Sequence, residues 1–161
     1  IVVFGRKRPI PRLEAWYGDP GRSYTYSGRR LDPLQWTPRL AELRDRCSAA
    51  VGEAFDSVLV NCYRNGDDAV GWHSDDEPEL GHQPVIASLS LGATRRFRLR
   101  RRDGHHDPVT LDLEHGDLLV MRGTTQELWE HCLTRTTRPM GERVNLTFRR
   151  IVGPSPAGSR G

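Results

Sequence analysis

His73 and Asp75, two positions apart, are the best candidates for metal chemistry in this 161-residue chain. On an extended segment, side chains at positions i and i+2 project to the same side, so both can bind one metal ion. A distant second histidine would complete a set of two imidazoles and one carboxylate. That set leaves open coordination positions and is typical of non-haem Fe(II) oxygenases. The tripeptide alone carries little weight, because it often arises by chance.

The third metal ligand is predicted from the surroundings of the other histidines. His131 is flanked by apolar side chains in the segment 127–132 and shortly precedes a strand with a polar face. The remaining four lie in charged, turn-like surroundings: His82, His105, His106 and His115. We therefore predict that His73, Asp75 and His131 bind the metal ion.

Polar faces on two predicted strands indicate a site for an anionic co-substrate. In Arg143–Arg149, apolar residues alternate with four polar ones: Arg143, Asn145, Thr147 and Arg149. In Ser57–Tyr63, one face carries Leu59, Asn61 and Tyr63. An iron site of this type needs a two-electron co-substrate such as 2-oxoglutarate, whose far carboxylate is best bound by an inward arginine. The alternative is that both polar faces meet solvent.

One helix and a series of strands must position these residues. Thr37 and Pro38 predict the start of a helix and Gly52 its end. An apolar stripe gives that helix a buried side: Leu40, Leu43, Cys47 and Val51. Period-two alternation then predicts strands over 57–63, 85–91, 96–100, 109–113, 117–121 and 143–149. This order predicts a mainly β fold, an antiparallel sandwich or barrel able to enclose a small ligand.

The composition excludes several classes of protein. With 36% hydrophobic residues and 28% charged residues, and no apolar run near the ~20 residues of a membrane helix, we expect a soluble domain and no membrane partner. Three widely spaced cysteines favour free thiols in a reducing cytosol over a disulfide framework or a zinc site: Cys47, Cys62 and Cys132.

Positive charge is concentrated in two stretches, 6–12 and 95–102, although the net charge is only +3. A solvated surface is the usual role of one such cluster. Two clusters make a polyanionic partner an equally good interpretation.

Seven stretches resemble the AlkB family of nucleic-acid dealkylating dioxygenases, most closely its duplex-DNA repair branch, the AlkB homologue 2 type. The resemblance spans residues 3–151. The stretches are Val3-Phe4-Gly5, Pro11-Arg12, Tyr17-Gly18-Asp19, Tyr24-Thr25-Tyr26-Ser27-Gly28, Asn61-Cys62-Tyr63, His73-Ser74-Asp75-Asp76-Glu77 and Arg143-Val144-Asn145-Leu146-Thr147-Phe148-Arg149.

The resemblance implies a double-stranded β-helix (jelly-roll) core, with Fe(II), 2-oxoglutarate and O2 as cofactor and co-substrates. It assigns the iron to His73, Asp75 and His131. Arg143 matches an arginine at the C1 carboxylate of 2-oxoglutarate, and Arg149 matches one at the C5 carboxylate. Further co-substrate contacts are expected from the same polar faces: Asn61, Tyr63, Asn145 and Thr147.

The resemblance also implies contacts to alkylated DNA. Tyr26 matches an aromatic that stacks on a flipped base, and Phe4 matches a wedge that fills the vacated gap. The other expected substrate contacts are Gly5, Arg12, Tyr24, Ser27, Asp76 and Glu77, with Arg12 and the arginine clusters binding phosphate. The implied reaction is oxidative dealkylation of 1-methyladenine and 3-methylcytosine.

We expect a single domain over 1–152, with a nucleotide-recognition lid at 1–35, a core at 53–152 and a disordered tail at 153–161. A cytoplasmic monomer is expected, associated with the nucleoid in a bacterium or nuclear in a eukaryote. The loop 101–108 is shorter and less basic than in duplex-specific relatives, so methylated RNA or single-stranded DNA remains an alternative substrate. An oxygenase of proteins or small molecules and a non-catalytic nucleic-acid binder also remain open.

Overall fold

The computed structural model describes residues 2–3, 6–7, 11–26 and 29–153, with side chains for 11–23 and 32–153. The predicted helix is confirmed as α1, Pro38–Val51. The Thr37 hydroxyl accepts a hydrogen bond from the Leu40 amide at 3.2 Å. Gly52 ends the helix in the left-handed region, at φ 75°, a conformation that glycine adopts without a steric cost.

All six predicted strands are present, with ends within one residue of the prediction. They are β6 Ser57–Tyr63, β8 Ile86–Gly92, β9 Arg95–Arg101, β10 Val109–Leu113, β11 Leu118–Met121 and β13 Arg143–Arg149. The remaining elements are β1 Val2–Val3, β2 Arg6–Lys7, β3 Leu13–Gly18, β4 Tyr24–Tyr26, β5 Arg29–Leu31, β7 Val70–His73, β12 Trp129–Leu133, the short helix α2 Thr125–Leu128 and a 3-10 turn, Pro78–Leu80.

Two antiparallel sheets form the core of the fold. The five-stranded sheet has the order β11-β8-β13-β6-β3, and the four-stranded sheet has the order β10-β9-β12-β7. From β8 to β13 the chain passes repeatedly between the two sheets, as in a jelly roll. The prediction of a mainly β jelly-roll core is therefore confirmed.

Two apolar clusters hold these layers together. The first lies between the sheets and includes Trp16, Ile86 and Phe97. The second lies between the outer face of the five-stranded sheet and α1: it contains Val58 and Phe148, and all four residues of the predicted helix stripe pack into or against it. Burial of this stripe, rather than helix propensity alone, fixes α1 on the sheet.

The N-terminal part of the chain adds two small hairpins. Strand β1 pairs with β2, and β4 pairs with β5, both antiparallel. Phe4 and Gly5 come between β1 and β2 in the chain and lie outside the described residues. The predicted disordered tail also lies outside them, from residue 154 onward. No helix among the described residues has both the length and the apolar character needed to cross a membrane.

Candidate active site

The four-stranded sheet brings the three predicted metal ligands together. His73 ends β7 and stands directly opposite His131 of β12 in the ladder. Asp75 follows two residues later, and the candidate ligand atoms of all three lie within 4.8 Å of one another. His115 lies elsewhere, between β10 and β11, where its Nδ1 accepts a hydrogen bond from the Gly92 amide at 3.0 Å. The choice of His131 over His115 therefore agrees with the geometry.

A backbone carbonyl orients the His73 ring. Nδ1 lies 2.8 Å from the carbonyl oxygen of Gly71, and because that oxygen can only accept, Nδ1 must carry the proton. The lone pair is then on Nε2, which lies 3.9 Å from Oδ1 of Asp75. Fixing the tautomer through the second ring nitrogen is the usual way in which a protein prepares a histidine for a metal.

Asp75 is almost completely buried, yet it stays ionised. Its Oδ2 accepts from Nη2 of Arg149 at 2.8 Å, and its amide donates to Oε1 of Gln126 at 2.9 Å. Burial acts to raise the pKa of Asp75, but Arg149 and the imidazoles of His131 and His73 outweigh it, so the pKa lies well below its ordinary value. Its Oδ1 is buried and has no hydrogen-bond partner among the described residues. This oxygen is therefore left for a metal ion.

His131 is neutral at physiological pH. Its side chain is buried and its ring stacks on Phe97, with centroids 5.3 Å apart. Burial lowers its pKa to about 4, against the opposing charge of Asp75. A metal ligand must be deprotonated, so His131 needs no proton release to bind a metal at pH 7.

The triad faces a pocket walled by the inner face of the five-stranded sheet. All six predicted co-substrate residues line it: Asn61, Tyr63, Arg143, Asn145, Thr147 and Arg149. They cluster because β13 pairs with β6, which places Arg143 opposite Tyr63 and Asn145 opposite Asn61. Asn145 Nδ2 donates to Ser88 Oγ at 2.8 Å, and Thr147 Oγ1 donates to Asn145 Oδ1 at 3.2 Å. The alternative of a solvent-facing polar surface is therefore excluded.

The two pocket arginines lie in the opposite order to the one expected. Arg149 is beside the metal-ligand carboxylate of Asp75. Arg143 lies six residues earlier on β13, donates from Nη2 to Ser90 Oγ at 2.9 Å and sits 5.4 Å from the centroid of the Tyr63 ring. Its Nε is buried without a hydrogen-bond partner in the described part of the chain. This geometry favours the reverse of the expected order, with Arg149 on the side of Asp75 and Arg143 at the other end of the pocket.

Arg12 was expected to bind phosphate, but the structure places its side chain in the wall of the pocket. Its side chain is only 7% exposed, forms an ion pair with Glu14 and lines the same pocket. Nε donates to Oδ1 of Asn61 at 2.9 Å, and Nη1 donates to the carbonyl of Ala69 at 3.4 Å. The guanidinium thus belongs to the pocket wall, because β3 carries it beside β6.

The other candidate substrate residues remain predictions. Asp76 is exposed and pairs with Nη2 of Arg102 at 3.0 Å. Glu77 is half-buried just before the 3-10 turn. Neither lines the pocket. The rest lie outside the described side chains: Phe4, Gly5, Tyr24, Tyr26 and Ser27.

The arginine cluster of β9 is largely engaged within the protein. Arg95 is buried and donates to three backbone carbonyls, those of Asn65, Asp68 and Thr134. Three others of the strand form ion pairs: Arg96 with Asp112, Arg100 with Glu130 and Arg101 with Asp103. Arg102, just after the strand, pairs with Asp76. Arg95 is therefore not available to a phosphate, whereas phosphate binding by the exposed arginines stays a prediction.

Three residues that support the candidate site were not predicted from the sequence. Gln126, in α2, is 1% exposed and holds the Asp75 amide, while its Nε2 contacts the Met121 sulfur at 3.5 Å. Ser88 and Ser90 lie on β8 beside β13 and bind Asn145 and Arg143. The alternation of serine with apolar residues in 86–91 was an available signal, whereas nothing in the sequence around Gln126 marks it.

Comparisons with known proteins agree with this site. A family model described as the 2OG-Fe(II) oxygenase superfamily matches residues 5–149. DNA oxidative demethylase ALKBH2 of Bos taurus is 44% identical over 159 residues, which cover 94% of this chain and 57% of that protein. Alpha-ketoglutarate-dependent dioxygenase alkB homolog 3 of Homo sapiens is 45% identical over 158 residues, covering 92% and 54%. The chain thus spans little more than half the length of these relatives. A solved structure of OsALKBH1 shares the fold, with a TM-score of 0.62 and 22% identity over 86% of this chain and 79% of that one.

Proposed function

Because the chain belongs to the 2OG-Fe(II) oxygenase superfamily, we propose that it oxidatively removes alkyl groups from N-alkylated bases in DNA, such as 1-methyladenine and 3-methylcytosine. The resemblance to AlkB is confirmed by relatives at 42–45% identity. The name of one group of these relatives, DNA oxidative demethylase, supports the substrate class. The observation that carries the proposal is the cluster of His73 with the buried Asp75 and His131, which faces a pocket lined with arginine.

The residues of the triad fit Fe(II). Two imidazoles and one carboxylate form the ligand set of non-haem iron oxygenases. Oδ1 of Asp75 has no hydrogen-bond partner within the described residues, and the backbone turns Nε2 of His73 toward it. A buried anion with one oxygen unused is costly unless a cation completes it.

The pocket fits a dicarboxylate with one end at the metal. Arg12 is paired with Glu14, and Arg149 is paired with Asp75. Arg143 has only a serine as its recorded hydrogen-bond partner among the described residues, so its buried charge remains uncompensated. We therefore assign Arg143 to the far carboxylate of 2-oxoglutarate and Arg149 to the metal end, where it orients Asp75.

The oxidising chemistry is supplied by Fe(II), O2 and 2-oxoglutarate when they are bound. The chain itself positions the ligand groups and excludes water from the pocket. Gln126 and Arg149 hold Asp75 from two sides, while Phe97 and Leu133 bring apolar surface to the pocket. Such a wall excludes water and strengthens each polar contact inside.

A second candidate substrate is methylated single-stranded DNA or RNA. The observation in its favour is that the arginines of the loop 101–108 are engaged with carboxylates, Arg101 with Asp103 and Arg102 with Asp76. A loop whose charges are paired internally has less attraction for the phosphates of a complementary strand.

The test is a demethylation assay on oligonucleotides carrying 1-methyladenine or 3-methylcytosine, in single-stranded and duplex form, with and without 2-oxoglutarate. We expect turnover only with 2-oxoglutarate and iron, together with succinate release. Succinate release without loss of the methyl group would rule out these lesions as substrates. Faster turnover of single strands would favour the second candidate.

Phe4 provides a sharper test of duplex repair. Extruding a base costs a few kcal/mol, and an inserted ring restores ~1–3 kcal/mol of stacking. Phe4→Ala should therefore slow duplex repair roughly tenfold and leave single-stranded repair unchanged. Equal losses on both substrates, with a lowered melting temperature, would assign Phe4 to the core instead.

A further inference from the structure

Given the proposed function, on which this step depends, we infer that Arg12 is a positioning residue for the co-substrate: it fixes which end of the Asn61 carboxamide faces the pocket. Nε of Arg12 donates to Oδ1 of Asn61 at 2.9 Å in a buried contact. Both side chains line the pocket. An amide carries its acceptor and its donors on opposite sides, so the oxygen that faces Arg12 leaves Nδ2 on the other side.

Asn61 thereby becomes a hydrogen-bond donor to the pocket. The structure records no partner for Nδ2 within the described residues, although Asn61 is only 6% exposed. A carboxylate or 2-oxo oxygen accepts from such a group, whereas an amide oxygen in the same place would repel it. Without Arg12 the amide is free to rotate, and half of its orientations present the wrong atom.

Arg12 is itself held in place from several sides. The Ala69 amide donates to the Pro11 carbonyl at 3.0 Å, and Nη1 of Arg12 donates back to the Ala69 carbonyl at 3.4 Å. Glu14 forms an ion pair with Nη2 and stands opposite Asn61 in the pairing of β3 with β6. The arrangement exists before any ligand binds, so little ordering remains to be done on binding.

The role of Arg12 differs from that of Arg143. Glu14 compensates the charge of Arg12, so Arg12 does not attract a second carboxylate strongly, whereas Arg143 has no acidic partner among the described residues. Because Arg12 directly precedes β3, it also joins the N-terminal part of the chain, which carries the candidate substrate residues, to the co-substrate wall.

The experiment is isothermal titration of 2-oxoglutarate into the Mn(II)-loaded chain. We expect Arg12→Met to weaken binding about fivefold to tenfold, the effect of one lost hydrogen bond, with unchanged affinity for a single-stranded oligonucleotide. In an Asn61→Ala background, Arg12→Met should add no further loss, because it acts through Asn61. Arg22→Met is the matched control: Arg22 pairs with Asp56 and donates to the Ile151 carbonyl, away from the pocket, so it should lower the melting temperature only.

Other results would overturn the inference in distinguishable ways. Additive losses in the double variant would mean that Arg12 contacts the co-substrate directly. Unchanged 2-oxoglutarate affinity with weaker oligonucleotide binding would restore the phosphate role. No binding by the wild-type chain would overturn the proposed function as well. If Arg12→Met does not fold, Asn61→Asp serves instead, because aspartate keeps an acceptor for Arg12 but has no hydrogen-bond donor for the pocket. Unaltered 2-oxoglutarate affinity in Asn61→Asp would refute the inference.

Discussion

The two sheets that enclose the pocket contribute opposite kinds of surface. The inner face of the four-stranded sheet carries two imidazoles, His73 and His131, among mostly apolar side chains and the buried Arg95. Its outer face carries exposed arginines such as Arg96 and Arg100. The five-stranded sheet brings amides, hydroxyls and guanidinium groups to the pocket, beside apolar residues such as Ile86, and has an apolar outer face beneath α1. The first sheet therefore carries the candidate metal site, and the second carries the candidate co-substrate site.

Strands β9 and β13 show why this division matters. Both contain arginines and alternate polar with apolar residues, over Arg95–Arg101 and Arg143–Arg149. In β9 most of the arginines point to solvent, whereas in β13 they point into the pocket. The difference comes from α1, which covers the apolar face of β13 and so turns its polar face inward. Alternation in the sequence defines the two faces of a strand, but it does not determine which face contacts solvent.

The largest effect should come from the metal triad. Asp75→Ala removes the only carboxylate of the three-residue ligand cluster found in the described chain, and two histidines alone do not hold Fe(II) in the required geometry. We expect no stoichiometric metal by elemental analysis after dialysis and turnover at background. His115→Ala, outside the site, is the control and should keep both. If Asp75→Ala still retained the metal ion, the assignment of the metal site to the four-stranded sheet would be wrong.

The outer face of the five-stranded sheet should dominate stability. Phe148 is fully buried there, so Phe148→Ala should lower the free energy of unfolding by about 3–5 kcal/mol in urea denaturation. The matched change on the other sheet, Arg100→Ala, removes a partly exposed ion pair with Glu130 and should cost about 1 kcal/mol or less. Similar losses of unfolding free energy in the two variants would mean that the outer faces of the two sheets do not differ in their contribution to stability.

A moderate effect is expected for a variant that weakens co-substrate binding and leaves metal binding unchanged. Arg143→Met should weaken 2-oxoglutarate binding roughly tenfold to a hundredfold, since hydrogen bonds to charged groups contribute about 1.5–3 kcal/mol. The affinity for Mn(II) should stay the same, as measured in the same titration series. Arg96→Met, which removes an exposed arginine paired with Asp112, should change neither. A parallel loss of Mn(II) affinity in Arg143→Met would mean that metal binding and co-substrate binding are not separated between the two sheets.

The smallest effect concerns the connection between the sheets. Asp68, between β6 and β7, accepts from the amide, Nε and Nη2 of Arg64 at 3.0, 2.7 and 2.8 Å. The hydrogen bond from the Arg64 side chain lowers the pKa of Asp68 against the effect of burial. Because the folded pKa is depressed, the stabilisation is present above the ordinary pKa of an aspartate and is lost as pH falls through the folded value.

We therefore expect wild type to lose about 1 kcal/mol of unfolding free energy below roughly pH 4 through this group. Asp68→Asn should be less stable by a similar amount at pH 7 and should lack this part of the acid dependence. Urea denaturation across pH 2–7 measures both. Parallel curves for the two chains would show that Asp68 makes no charge-dependent contribution.

The fold was predicted correctly from the sequence wherever a local pattern alone specifies the secondary structure. The cap at Thr37, the stripe of α1 and the glycine at Gly52 each specify local structure directly, and the six alternating runs became strands. Strand β12 was missed because the segment 127–132 mixes charged, aromatic and apolar residues without alternation. Its pairing with β7 and β9 is a tertiary effect.

The site was predicted in membership but not in arrangement. The triad and the six co-substrate residues were named correctly as neighbours, because two strand faces grouped them. The order of Arg143 and Arg149 depends on which end of β13 lies next to Asp75, and a sequence does not specify this. The inward turn of Arg12 depends likewise on the pairing of β3 with β6.

The position of His131 directly opposite His73 has a consequence for folding. Moving β12 by one residue against β7 would bring Glu130 or Cys132 to the place of His131 and turn the imidazole to the outer face. A metal ion that binds both histidines would therefore favour the register seen in the structure. Part of its binding free energy is then free energy of correct pairing, and the ion acts as a template for the sheet that holds it.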